Sequence, residues 1–161
     1  MPGEWVALIT RAARPIGQRL LRKWLFEAEL IEAKSVVYTS ERGENPFVDI
    51  LAFVRVHNRN HSPTTLYCER ITVKFRDGTE DSFPPATGDA SGTMPTHGEK
   101  MIQLGGSSTL EVRFYSRKPQ RTLPSPYLDG SPLELTITLA ETFGSRREIT
   151  GELNSRNIVR K

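Results

Sequence analysis

Two histidines and the single cysteine are the side chains best suited to metal binding or nucleophilic chemistry. His57, His61 and Cys68 lie close together in the sequence, and imidazole and thiolate are ligands that zinc favours. A turn separates the two histidines, and Cys68 lies well along the next β-rich segment. No second cysteine and no nearby pair of carboxylates completes a set of four ligands. We therefore predict no metal site, and we expect Cys68 to be a small core residue.

Other residue patterns that could support chemistry also have simpler structural interpretations. A nucleophilic Cys68 would need a neighbouring base and an oxyanion site, and no flanking motif indicates either. The run Asp77–Asp81 (DGTED) does not have the spacing of an EF-hand loop, and Asp-Gly is a common hairpin signal. The Gly105–Ser108 run (GGSS) is not followed by a helix whose dipole could hold a phosphate. The sequence therefore predicts no catalytic residue and no cofactor.

The basic charge of the chain is concentrated near its N-terminus. Residues 1–26 hold five basic side chains and one acidic, a net +4; the whole chain carries +3, so the remainder sums to −1. Apolar residues recur there at spacings of three and four, which is typical of an amphipathic helix. We predict two helices between residues 5 and 32, separated near Pro15, with the second covering residues 16–30 (IGQRLLRKWLFEAEL).

This N-terminal segment is the candidate docking site. The candidate residues are Trp5, Leu8, Arg11, Arg14, Ile16, Arg19, Leu20, Arg22, Lys23 and Trp24. An apolar stripe with two tryptophans fits a protein partner, another subunit of the same chain, or a lid over the β-domain. The basic residues beside it also fit an anionic membrane surface. Nucleic acid is not expected, because the β-domain is not basic and shows no base-stacking motif.

The rest of the chain is organised around Phe47–Gly78. Its first part alternates apolar and other residues, turn formers occupy 58–63, and a second β-rich run covers 64–76. This pattern predicts a hairpin of two long antiparallel strands. We also predict a bulge near Glu69 and Arg70, because the apolar residues change phase there. The predicted core residues are Ile50, Val54, Ile71, Val73, Val112, Leu135 and Ile137.

Further strands are predicted at 35–40, 101–104, 110–115, 133–140 and 147–153. About seven antiparallel strands with only N-terminal helices favour an immunoglobulin-like β-sandwich. We divide the chain into a helical segment (1–32), a sandwich (33–153) and a frayed basic tail (154–161). Long loops at 84–100 and 117–132 add possible contact surface.

The run VRVHNRN, an alternating strand that ends in Asn58 beside turn formers, resembles strands of late-embryogenesis-abundant domains of the water-stress type. The resemblance covers roughly residues 33–153 and is one of fold. It implies a non-catalytic sandwich domain and assigns no specific site residue.

The composition limits the cellular compartments and the classes of function that we expect. A single cysteine excludes an intramolecular disulfide, and neither a secretory signal nor a membrane-length apolar run is expected. We expect a cytoplasmic protein, with association to a membrane as the alternative. The predicted function is a non-enzymatic binding or assembly module that docks through its N-terminal segment and long loops. A membrane-anchored peripheral protein is the second hypothesis, and an enzyme with a loop-built site is the third.

Overall fold

The computed structural model describes residues 26–84, 87–89, 101–142 and 144–160. The chain is mainly β, with nine strands and one short 3₁₀ turn, Ser125–Tyr127, in those residues. The strands are β1 (Phe26–Ser40), β2 (Phe47–Asn58), β3 (Thr64–Lys74), β4 (Glu80–Phe83), β5 (Thr87–Asp89), β6 (Met101–Leu104), β7 (Thr109–Pro119), β8 (Leu133–Glu141) and β9 (Arg146–Arg160). The predicted docking residues from Trp5 to Trp24 lie outside the described residues.

Hydrogen bonds join the strands into one mixed sheet that curls over a shared core. The order is β4-β3-β8-β9-β1-β2-β7-β5, with β6 also paired to β3. We call β1, β2, β7 and β5 the front half, and β3, β4, β6 and β8 the back half; β9 pairs with both. Buried side chains from both halves form one hydrophobic cluster, which gives the architecture of a β-sandwich.

Strict alternation along β2 explains how the front half supplies its share of the core. Every second side chain of β2 from Val48 to Val56 is fully buried, because successive residues of a strand point to opposite faces. The prediction of the core is confirmed: each of its seven residues is at most 1% exposed. Cys68 is also buried, at 3%, as expected for a small core residue.

Strand β9 connects the two halves by changing partner midway. Its first part, through Leu153, pairs antiparallel with β8. Its second part, from Asn154 to Arg160, pairs parallel with Lys34–Ser40 of β1. The prediction of a frayed tail from residue 154 is therefore wrong for 154–160. A polar composition does not prevent strand formation where a neighbouring strand supplies hydrogen bonds.

The predicted helix over residues 16–30, with helical structure to residue 32, is wrong from Phe26 onward. That segment is the start of β1 and pairs with β2 from Phe26 opposite Asn58. The run FEAEL also alternates with a period of two, and Ala28 and Leu30 pack against the core. Pairing with β2 decides the conformation, since tertiary contacts outweigh intrinsic helix propensity. A register shift between Leu30 and Glu32 leaves Ile31 45% exposed.

The predicted hairpin of two long strands is also corrected. Both strands exist, but β2 pairs with β1 and β7, whereas β3 pairs with β4, β6 and β8. The polar segment 59–63 therefore crosses from the front half to the back half. The predicted bulge is confirmed by a register shift between Cys68 and Arg70 in the pairing with β8.

Candidate functional site

The residues suited to metal or nucleophilic chemistry do not form one site. Nδ1 of His57 lies 2.6 Å from Oγ1 of Thr109, and Nδ1 of His61 lies 3.1 Å from Oγ of Ser107. Cys68 is buried in the back half. Within the described part of the chain, no three His, Cys, Asp or Glu side chains are grouped closely enough to hold a metal ion.

The Asp77–Asp81 run forms a turn and a buried network. Oδ1 of Asp77 accepts hydrogen bonds from the amide (2.9 Å) and the hydroxyl (2.6 Å) of Thr79. The hydroxyl bond, followed by the amide bond, holds the pKa of Asp77 below its ordinary value. This carboxylate is therefore occupied in closing the turn between β3 and β4, as Asp-Gly signals usually indicate.

Asp81 is a polar anchor between the two halves. The Asp81 carboxylate, 8% exposed, accepts hydrogen bonds from Gln120 Nε2 at 2.9 Å and the Tyr127 hydroxyl at 2.8 Å, and it pairs with Lys118. Burial, reinforced by the Asp81 charge, raises the pKa of Tyr127 above its ordinary value. Ser155 of β9 donates a hydrogen bond of 3.0 Å to the Tyr127 carbonyl. The network ties the segment 120–132, which follows β7, to the sheet; the loop predicted from residue 117 therefore begins three residues later.

Asn58 is a second polar anchor, at the crossing from β2 to β3. Its Nδ2 donates to the carbonyls of Ser62 (2.9 Å) and Gly105 (3.1 Å), and its Oδ1 accepts from the Asn60 amide (3.0 Å). Asn58 is 1% exposed. The buried side chain therefore pairs with backbone groups of two turns, and the Gly105–Ser108 run is one of those turns.

The outward side of the front half presents the candidate site. The register of β1, β2 and β7 aligns its side chains in cross-strand rows. We define the front face as Glu29, Glu32, Lys34, Val36, Tyr38, Phe47, Asp49, Leu51, Phe53, Arg55, Glu111, Arg113, Tyr115 and Arg117. Leu51 lies in the central row, between Lys34 and Tyr115. Because β2 is the middle strand of the three, its outward side chains form the centre of the face.

Arginine and aromatic side chains are stacked on this face. The guanidinium of Arg117 lies 4.3 Å from the ring centre of Phe47, and that of Arg113 lies 5.2 Å from the ring centre of Phe53. The rings of Tyr38 and Phe47 stack with centres 4.5 Å apart. Such cation–π and ring contacts hold exposed side chains in a defined arrangement.

A buried carboxylate fixes the position of Arg117. Nε and Nη2 of Arg117 donate to the two oxygens of Asp49 at 2.7 and 2.8 Å, and the residue Asp49 is only 7% exposed. The hydrogen bonding to Asp49 raises the pKa of Arg117 above its ordinary value. Burial, then the Asp49 charge, raises the pKa of Tyr115. The face thus presents a fixed guanidinium beside a phenol that stays protonated at neutral pH.

The corresponding surface of the back half has a different character. One outward row at the end of the back half, Tyr67-Ala140-Arg146, includes a partly exposed tyrosine. The three other rows are Lys74-Glu134-Glu152, Thr72-Thr136-Thr150 and Arg70-Thr138-Glu148. These rows hold threonine and charged side chains, and Thr136 and Thr150 place their hydroxyl oxygens 3.2 Å apart. In contrast, the front face includes Val36, Leu51, Phe53 and Tyr115, each partly exposed in the described part of the chain. The front face is therefore the surface with the composition of a protein contact site.

The sequence contained a signal for this surface. The run FVDILAF places apolar residues in both phases of β2, so that Phe47, Leu51 and Phe53 face away from the core. A strand with one solvated face normally carries polar residues in the outward phase. The predicted docking residues of the N-terminal segment cannot be placed relative to this face, since they lie outside the described residues.

The comparisons with known proteins yield structural likenesses only. No family model matches the chain, and no curated protein matches it in sequence. The resemblance to late-embryogenesis-abundant domains therefore stays a prediction. Among the described residues, no helix is long and apolar enough to cross a membrane.

Several solved β-structures are similar to the chain. A FixG-related protein from Vibrio parahaemolyticus is 10% identical with a TM-score of 0.43, over 81% of this chain and 94% of that one. An uncharacterized β-sandwich protein from Clostridium difficile 630 is 16% identical with a TM-score of 0.39, over 78% and 84%. The ASH/PapD-like domain of human CEP192 is 10% identical with a TM-score of 0.39, over 81% and 86%. Scores of this size carry no functional argument.

Proposed function

We propose that the chain is a non-enzymatic binding or assembly module that docks on protein through its front face. The observation that carries the proposal is the contrast between the two outer surfaces. One consists mostly of threonine and charged side chains, with Tyr67 at its end, and the other combines several partly exposed apolar residues with arginine-stacked aromatics. Tyrosine, phenylalanine and arginine are enriched at protein interfaces, where they often dominate the binding energy.

The rigidity of the front face supports this function. Arg117 is held by two hydrogen bonds to Asp49, so it loses little conformational freedom when a partner covers it. Immobilising a flexible side chain on binding costs about 0.5–1.5 kcal/mol. A face on which Arg117 is already ordered avoids part of that cost.

The chemistry of the described residues favours binding over catalysis. Cys68 is buried, while His57 and His61 contact hydroxyl side chains at the β6–β7 end of the sheet. The phenol of Tyr115 is protonated at neutral pH, and its raised pKa extends that state to more alkaline pH, so the group can donate a hydrogen bond to a partner. These features support a surface that recognises another molecule without transforming it.

We further propose that the domain is immunoglobulin-like. In that layout strands A, B, E and D form one sheet and C, F and G the other. We assign β1, β2, β7 and β5 to the first sheet and β3, β8 and β9 to the second. This assignment matches the order in which the strands are hydrogen-bonded. The resemblance of VRVHNRN to late-embryogenesis-abundant strands is compatible with this assignment, because Asn58 ends β2 at the crossing to β3.

The predicted helical segment before Phe26 is proposed as a second docking element. Its net charge of +4 favours an anionic membrane surface as the alternative to protein. Removing residues 1–24 keeps Phe26, which is 2% exposed, in place. If the segment binds membrane, the deletion abolishes salt-sensitive co-sedimentation with anionic vesicles. If it binds protein, the deletion weakens a protein association that persists in salt.

The front face is tested with one matched pair of variants. Phe53→Asp puts a charge at its centre, and Thr136→Asp puts the same charge on the outer surface of the back half. Proteins captured by the full-length chain are identified, purified and titrated, and self-association is measured alongside. We expect Phe53→Asp to weaken at least one association tenfold or more and Thr136→Asp to leave it unchanged. Equal binding by both variants in every association would contradict the proposal.

A further inference from the structure

We propose that the partner covering the front face is a second copy of this chain, packed face to face about a twofold axis. The inference rests on the proposed function and specifies its partner. A twofold contact requires a surface that is complementary to itself, because the same residues meet from both sides. The balanced charges of the front face fit that requirement, and its extent and rigidity suit a small interface.

The charges of the front face are balanced and interspersed. The face holds four acidic and four basic side chains, a formal charge of zero. Arg55 lies 2.9 Å from Glu111 and 3.5 Å from Glu29, and Arg117 pairs with Asp49. A strongly acidic or basic partner gains little from such a surface, whereas a second copy brings the matching set of both signs.

Four of the partly exposed apolar and aromatic residues lie near the middle of this face, whereas Tyr38 and Phe47 lie at one end. Leu51 and Phe53 are on the central strand β2, with Val36 on β1 and Tyr115 on β7. The acidic and basic side chains of the Glu29-Arg55-Glu111 row border them at one end. An apolar centre with a polar rim is the usual anatomy of a protein interface.

The extent of the face suits a small, weak dimer interface. The stretch from Phe47 to Arg55 extends about 30 Å along the strands at ~3.4 Å per residue. The three strands that carry the face, β1, β2 and β7, cover about 14 Å across at ~4.8 Å spacing. The footprint is thus about 400 Å², below the ~800 Å² per partner of a standard interface and in the range of weak, reversible contacts.

Sedimentation velocity of the full-length chain is the first part of the test. We expect monomer and dimer to be in equilibrium at protein concentrations between about 1 and 100 µM, the range suited to a modest interface. Phe53→Asp should raise the dimer dissociation constant at least tenfold, and Thr136→Asp should leave it within twofold. A chain that stays monomeric over this range overturns the inference.

Engineered cysteines locate the contact. Leu51→Cys, Phe53→Cys and Tyr115→Cys are oxidised separately, with Thr136→Cys and the unmodified chain as controls; Cys68 is buried and supplies the background. Because residues near a twofold axis meet their own copies, at least one front-face variant should form a disulfide-linked dimer faster than both controls. Dimers that cross-link only at position 136 overturn the inference.

The two proposals fail in different ways. If the chain is monomeric but Phe53→Asp abolishes binding to another protein, the second copy is excluded and the docking function stands. If Phe53→Asp changes neither self-association nor binding to another protein, the docking function fails as well.

Discussion

The buried carboxylate of Asp49 and the guanidinium of Arg117 form a two-point hydrogen-bonded pair across β2 and β7. The two bonds are 2.7 and 2.8 Å long, and the guanidinium also covers the ring of Phe47. Glu111 and Arg55 make a comparable contact of 2.9 Å on the same strands, but both side chains are well exposed. The two pairs therefore differ in the burial of the carboxylate and in the number of hydrogen bonds, two against one.

Asp49→Ala should destabilise the chain more than Glu111→Ala. Loss of a buried, hydrogen-bonded carboxylate costs about 1–2 kcal/mol, a value reduced because Arg117 is half exposed to screening solvent. Loss of an exposed pair costs about 0.2–1 kcal/mol. Urea unfolding of both variants measures the difference, and equal losses would show that Asp49 does not anchor Arg117 in solution.

Asn58→Asp should be nearly as destabilising as Asn58→Ala. Aspartate keeps the acceptor for the Asn60 amide but replaces the donor to the Ser62 and Gly105 carbonyls with a second acceptor. Each variant should lower the free energy of unfolding by about 2–3 kcal/mol, roughly 1 kcal/mol for each hydrogen bond. Asn60→Ala, which removes one bond of 3.3 Å, is the control. A fully stable Asn58→Asp would disprove the role of the amide as donor.

Gly106→Ala should separate the two turns that Asn58 joins. A Cβ at Gly106 would lie 1.9 Å from the His61 carbonyl oxygen, whereas at Gly105 the nearest atom is Ser108 Oγ at 3.4 Å. Because the backbone must move to accommodate Gly106→Ala, this variant should lower the free energy of unfolding by about 1–3 kcal/mol. Gly105→Ala should change it by no more than about 0.5 kcal/mol. Thermal unfolding compares them. Similar midpoints would mean that the turns do not approach so closely.

Tyr127→Phe should reduce the loss of stability at alkaline pH. The folded chain raises the pKa of Tyr127 above its ordinary value of 10.0, so folding favours the neutral phenol. Its contribution is complete below about pH 10 and is lost as the pH rises further, because the unfolded chain then ionises more readily. Between about pH 9 and 11 the free energy of unfolding should fall less in Tyr127→Phe than in the parent, with Tyr67→Phe as the control. Parallel curves for the parent and Tyr127→Phe would contradict this.

The sequence was sufficient for the core but not for the connectivity of the strands. Alternation identified the inward residues of β2 and β8 because burial on one face imposes a period of two. The short link after Asn58 is compatible with either a hairpin or a crossing between halves. Only long-range pairing of β2 with β7, and of β3 with β8, distinguishes them.

Two further features depend on contacts that local patterns do not encode. The residues from Phe26 to Leu30 fit both a helix and a strand, and pairing with β2 selects the strand. The front face was indicated only by apolar residues in the outward phase of β2, such as Phe53. Its arginine stacking depends on β7, which lies about sixty residues further along the chain.

Cross-linking inside cells that naturally produce the chain tests its central claim, docking through the front face, most directly. A photoreactive phenylalanine analogue replaces Phe53 in one variant and Thr136 in the other, with equal stability confirmed by urea unfolding. We expect protein cross-links, to a second copy or to another protein, from position 53 and few from position 136. If position 53 gives no protein cross-link, or no more than position 136 gives, docking through the front face is contradicted.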